Sequence, residues 1–173
     1  MSTTIATQDS STGISLDERL STREKIQKLI DALDQLVPNC REIAKSYPLK
    51  HNFFRGVYMR EIKLPAHHLV IGKMHRKENV TTIKSGMAVV VSENNPTPTI
   101  VKAGDQFIVP AYNANVILTF TDVVWTTIHP DTKATNVDDA ETEIIVEGQK
   151  QLEREFYDYL KDKDTKCIER GES

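Results

Sequence analysis

A mainly β protein, one antiparallel double-sheet barrel with an amphipathic helix on each flank, is the fold this sequence predicts. Three observations carry the expectation. From Val57 to His129 the apolar residues recur with a period near two instead of 3.6. The runs are short and bounded by turn formers: Pro65-Ala66, Ser85-Gly86, Asn94-Asn95-Pro96, Ala103-Gly104-Asp105 and the stretch after Pro110. No helical pattern intervenes, which argues against an α/β sheet and for a sandwich or barrel.

Taken in order, residues 1–13 are rich in Ser and Thr and short of apolar groups, so a tail without a packed core is expected. Residues 14–48 read as a helical segment. Ser15 with Glu18 and Ser21 with Glu24 are two candidate capping boxes, and the second opens the better helix, Ser21 to Val37. Ile26, Leu29, Ile30, Leu33, Leu36 and Val37 form its apolar stripe, and Pro38-Asn39 ends it. Residues 49–131 hold the barrel. Eight strands are expected there: Val57–Leu64, His67–His75, Val80–Lys84, Met87–Ser92, Thr99–Lys102, Gln106–Val109, Asn115–Thr121 and Val123–His129. Residues 132–173 turn acidic. Asp138 with Glu141 offers a helix start, and Leu152, Phe156, Tyr159 and Leu160 return to helical spacing.

Composition excludes several classes. With 22 basic against 25 acidic residues the net charge is −3, so no positive excess exists to drive general nucleic-acid binding. No run approaches the roughly 20 apolar residues of a membrane span, and the N-terminus lacks the basic and apolar regions of a secretory signal. Cys40 and Cys167 stand far apart without a C-x-x-C spacing, which suits free thiols in a reducing, cytoplasmic setting. P-loop, dinucleotide-binding, H-E-x-x-H and G-x-S-x-G motifs are absent.

Two motifs carry a family resemblance. The stretch from about Gly56 to Pro130 resembles a single cupin domain, a small double-sheet barrel of jelly-roll type. The first cupin motif has a glycine, an H-x-H pair, a glutamate and a closing glycine; Gly72, Lys73, His75, Glu78 or Asn79, and Gly86 stand at these places. In the second, Gly104 and Pro110 match, with Tyr112 at a glycine and Asn115 at a histidine. A cupin of the usual type holds a divalent metal with three histidines and a glutamate, so the resemblance implies a degenerate metal site. The wider pattern G-V-Y-M-R-E-I, G-K-M-H-R-K-E-N and V-W-T-T-I-H-P also resembles small cupin-like proteins of tailed bacteriophages, which implies the host cytoplasm.

The expected ligand pocket is therefore Lys73, His75, Asn79, Asn115 and His129, with Lys73 and Arg76 supplying positive charge at its mouth. The expected function is non-catalytic binding of a small molecule, such as a host metabolite or signalling nucleotide, or of a partner protein, with no cofactor. An alternative is a metal-dependent oxygenase or isomerase holding a divalent transition metal through His75, Glu78 and His129. A second alternative is a structural or virion-associated protein. Both helices present apolar stripes, and a homodimer that buries at least one of them is expected.

Overall fold

The computed structural model describes residues 16–37, 40–146, 154–156 and 158–159. Two helices, α1 (Leu16–Leu36) and α2 (Cys40–Lys45), precede nine strands. These are β1 (Leu49–Phe54), β2 (Val57–Leu64), β3 (Leu69–Ile71), β4 (Asn79–Ser85), β5 (Met87–Ser92), β6 (Asn95–Lys102), β7 (Gln106–Val109), β8 (Asn115–Thr119) and β9 (Val123–His129). A short α3 (Val137–Ile144) follows, and residues 154–156 and 158–159 are helical.

The strands form two sheets, ordered β1-β2-β9-β4-β7 and β3-β8-β5-β6. The pairs β2/β9, β3/β8, β4/β7 and β5/β6 are all antiparallel. This is one long hairpin, its tip between β5 and β6, rolled so that successive rungs fall in alternate sheets. The expected double-sheet jelly roll is what the chain forms. β2, β5, β7 and β9 have the expected bounds. β1 was not anticipated; it pairs with β2 and extends the first sheet.

Period-two alternation sends one face of each strand inward. Leu64, Ile83, Ala88, Val123 and Trp125 meet between the sheets, with the Trp125 and Phe107 rings edge-on at 5.7 Å. β3 departs from its expected length: it runs only from Leu69 to Ile71, with Leu69 40% exposed and Val70 packed against the core.

Gly86 shows why the first motif closes on glycine. Its φ is +86°, and a Cβ there would lie 2.1 Å from the Asp122 carbonyl oxygen. Backbone cannot yield as a side-chain tip would, so Gly86→Ala is expected to cost about 3 kcal/mol, read as a lower urea midpoint at unchanged m. Tyr112, at the glycine place of the second motif, takes φ +54°. The strain, roughly 1 kcal/mol, is offset by contacts a glycine could not make. Its hydroxyl donates to Glu155 at 3.3 Å, and its ring packs against Phe156 and Tyr159.

α1 has begun by Leu16, so Ser21 is an interior residue and not the cap. No Gly or Pro interrupts Leu16–Ser21, and the helix propagates through it. Its first half is pinned to the barrel by charge: Arg23 makes a bidentate pair with Glu93, at 2.8 and 2.7 Å, and the Glu93 side chain is fully buried. Of the apolar stripe, Ile26 is buried, while Leu36 is 79% exposed. Cys40 opens α2.

The cap of α3 is Asn136, whose side chain accepts from Asp139 N; Asp138 lies in the first turn and is not the cap. At the other end the Arg76 guanidinium donates to the carbonyls of Thr142 and Ile145. Such orphan carbonyls at the negative pole of a helix are where a cation binds best. Lys73 and Lys77 add ion pairs to Glu141 and Glu143, at 2.9 and 2.8 Å. The basic stretch 73–77 thus clamps the acidic helix. Leu152 and Leu160 of the expected C-terminal stripe lie outside the described residues; Phe156 of the same stripe is buried.

Candidate functional site

Between the sheets, at the end covered by α2 and α3, lies a cavity of about 490 Å³. Its deeper wall is the apolar core, with Ile62, Ile117 and Trp125 among its residues. Its polar wall comes from Lys45 on α2, Arg60 on β2, the segment Lys73 to Asn79 that crosses from β3 to β4, Thr81 on β4, Asn115 at the start of β8, Thr127 on β9 and Glu141 on α3.

Four of the five residues expected to bind ligand, Lys73, His75, Asn79 and Asn115, line this cavity. His75 reaches it from a connecting segment and not from a strand, held there by a bridge to Ile145 and by the bond from Tyr112 N to its carbonyl, 2.7 Å. His129, on the inner face of β9, stands behind His75 with ring centroids 4.7 Å apart, outside the cavity lining. Glu78 does not join them: it is exposed and outside the cavity lining.

Hydrogen bonds orient these groups as donors. Asn79, 2% exposed, accepts from Thr81 at 3.3 Å and donates its amide to His75 Nδ1 at 3.0 Å. A neutral His75 ring therefore keeps its proton on Nε2. The Asn115 Oδ1 is taken by the Asn113 amide at 2.9 Å, which leaves the Asn115 N–H groups for other partners.

Burial keeps both imidazoles neutral. Loss of hydration takes the His75 pKa down to about 3, with the His129, Arg60 and Lys73 charges acting in the same direction. Burial followed by Arg60 and Lys77 takes His129 down to about 4. The Nδ1 of His129 is buried without a hydrogen-bond partner among the described residues. Beyond it Tyr58 stacks on His129 and bonds to His51 Nδ1 at 2.8 Å, closing this end of the barrel with rings.

Arg60 is the residue the sequence reading missed. Its Nε is fully buried and has no hydrogen-bond partner among the described residues. It lines the cavity with His75 and Glu141, and its charge adds to burial in lowering the pKa values of His51, His75 and His129. The cavity wall carries three cations, Lys45, Arg60 and Lys73, against one carboxylate, Glu141, and that carboxylate is already bound to Lys73. Arg76, expected to add charge here, is spent on α3 and on Glu155. A signal for Arg60 was present: it is the one charge on the inward face Tyr58, Arg60, Ile62, Leu64 of an alternating strand.

The residues do not fit the divalent metal of a usual cupin. The four motif places are Lys73, His75, Asn79 and Asn115, and only one offers a good ligand. The Nδ1 of that histidine is taken by Asn79. Among the described residues no group of three or more His, Cys, Asp or Glu could hold a metal ion.

No protein-family model and no curated protein matches the chain. Among solved structures it is similar to a cupin superfamily protein from Desulfitobacterium hafniense DCB-2, at 14% identity over 49% of this chain and 77% of that one, TM-score 0.42. It is also similar to the Cnp3 cupin domain of Schizosaccharomyces pombe, at 19% identity over 49% of this chain and 65% of that one, TM-score 0.42. A variant of salicylate 1,2-dioxygenase from Pseudoaminobacter salicylatoxidans, in complex with gentisate, shares 17% identity over 71% of this chain and 36% of that one, TM-score 0.47. No helix among the described residues is long and apolar enough to cross a membrane.

Proposed function

We propose that this chain is a non-catalytic binding protein whose barrel cavity takes a small organic anion, a carboxylate or phosphate ester with an apolar body. The observation that carries the reading is Arg60, a half-buried side chain whose Nε is buried without a hydrogen-bond partner among the described residues, in a cavity wall that holds three cations against one carboxylate. An unpaired buried N–H costs roughly 1–3 kcal/mol, a cost that an incoming acceptor removes. Guanidinium geometry suits a two-oxygen anion, and the donors of Asn115 and His75 stand on the same wall. Ile62, Ile117 and Trp125 would cover the apolar body. The phage resemblance would make the ligand a host metabolite or a signalling nucleotide.

Calorimetric titration with inorganic phosphate, mono- and dicarboxylates, aromatic acids and nucleoside monophosphates tests this. At least one class is expected to bind, and Arg60→Met is expected to weaken that binding by about 30-fold or more, the loss that follows removal of one side of a desolvated charge pair. Silence across the panel would remove the reading.

A further inference from the structure

The two sheets differ on their outer faces. On the first, charge is interleaved: Glu61 of β2 bonds Lys84 of β4 at 2.6 Å and lies 3.9 Å from Lys50 of β1. On the second, strand register sets Leu69, Leu118, Val89 and Ile100 side by side across β3, β8, β5 and β6. Ile100 is 63% exposed, Leu118 41% and Leu69 40%. Outward positions before and after this row are apolar too, Met87 and Val91 on β5 and Val116 on β8. Lys102, beside Met87 at one corner, is the one charged residue among the outward positions of these four strands.

We infer that this sheet face is the seam of a homodimer, in which two copies pack β3-β8-β5-β6 against each other face to face. Charge points to a second copy. A surface charged only at the Lys102 corner offers little to a charged partner but meets its own image with its uncharged centre, as a two-fold contact requires. Size agrees. Four strands about 4.8 Å apart and about six residues long project about 400 Å², and side-chain relief raises this toward the roughly 800 Å² per partner of a stable interface. Edge-to-edge pairing through β6 is disfavoured because Pro96 and Pro98 remove two N–H donors from that edge. The stripe of α1, the surface first expected to dimerise, is half engaged already, through Ile26.

Sedimentation equilibrium of the full chain at about 20 μM tests the seam. The native protein is expected at twice its 19.6 kDa chain mass. Leu118→Asp and Ile100→Asp are each expected to run as folded monomers, with a circular dichroism spectrum like that of the native chain. Leu33→Asp, on α1, is expected to stay dimeric. A monomeric native chain overturns the proposal, as does a dimer that survives both sheet substitutions or is dissolved by Leu33→Asp. A native monomer that Leu118→Asp unfolds would show the face covered by the chain itself, and also overturns it.

Discussion

Arg23→Met is expected to lower the stability of the chain by about 3–5 kcal/mol, a large part of the 5–15 kcal/mol that holds a typical domain together. The loss comes from what the substitution leaves behind. Glu93 has no exposed side-chain surface, and its two carboxylate oxygens accept from Arg23 Nε and Nη2 at 2.8 and 2.7 Å. Arg19 Nε stands 3.8 Å from the same carboxylate, too far to replace a bidentate pair. Arg23 also donates to the Tyr112 carbonyl at 2.9 Å and lies 3.8 Å from the centroid of the Phe156 ring. One guanidinium therefore joins α1, the β5–β6 turn, the loop before β8 and the C-terminal helical residues. Urea unfolding of Arg23→Met reads the cost, and Arg23→Met with Glu93→Met is expected to recover part of it, because the carboxylate is no longer buried alone while Arg19, 3.8 Å from it, loses its counter-charge. A single-variant loss below about 1 kcal/mol would mean that Glu93 finds water or another cation.

Acid is expected to destabilise the protein well above the carboxylate range. His75 and His129 titrate near 6.5 when unfolded and at about 3 and about 4 when folded. Between these values the unfolded chain binds more protons, so stability rises with pH there. The contribution is complete above about pH 7 and is lost as pH falls below about 6.5. Each histidine changes the balance by about 1.4 kcal/mol per pH unit, so the pair removes about 3–4 kcal/mol by pH 5. Denaturation midpoints at pH 7.5 and pH 5 measure the slope, and His129→Asn is expected to reduce it by about half. A slope unchanged by that substitution would assign the acid sensitivity to other groups.

Alternation made most of the barrel legible, because two packed sheets demand an apolar residue at every second position and the turns between them demand Gly, Pro, Asn or Asp. β2, β5, β7 and β9 could be bounded to the residue for that reason. β1 could not: its inward positions are Leu49, His51 and Phe53, and a histidine at the centre hides the apolar period. The motif spacing found Lys73, His75, Asn79 and Asn115, all on the cavity wall. Roles were harder to read than places. Lys73 and Arg76 looked like free charge until α3 supplied Glu141 and its own carbonyls, a contact across about 68 residues that no local pattern encodes. Arg60 is hard to pick out because charge in a strand ordinarily marks the solvent side, and Glu61 and Lys63 stand in the same strand. A register one residue out would have put it there.

Arg60 is held in the barrel for a ligand and not for the fold, and one comparison separates the two roles. Thermal unfolding of native and Arg60→Met protein, each in anion-free buffer and with the tightest-binding anion of the panel at about 100 times its Kd, yields four stabilities. Without ligand the variant is expected to equal or exceed the native chain, by up to about 2 kcal/mol, since an unpaired buried donor has been removed. With ligand the native chain is expected to gain about 2.7 kcal/mol and the variant less than about 0.5. A variant that is less stable without ligand by about 2 kcal/mol, yet gains as much from the anion as the native chain does, would contradict the account.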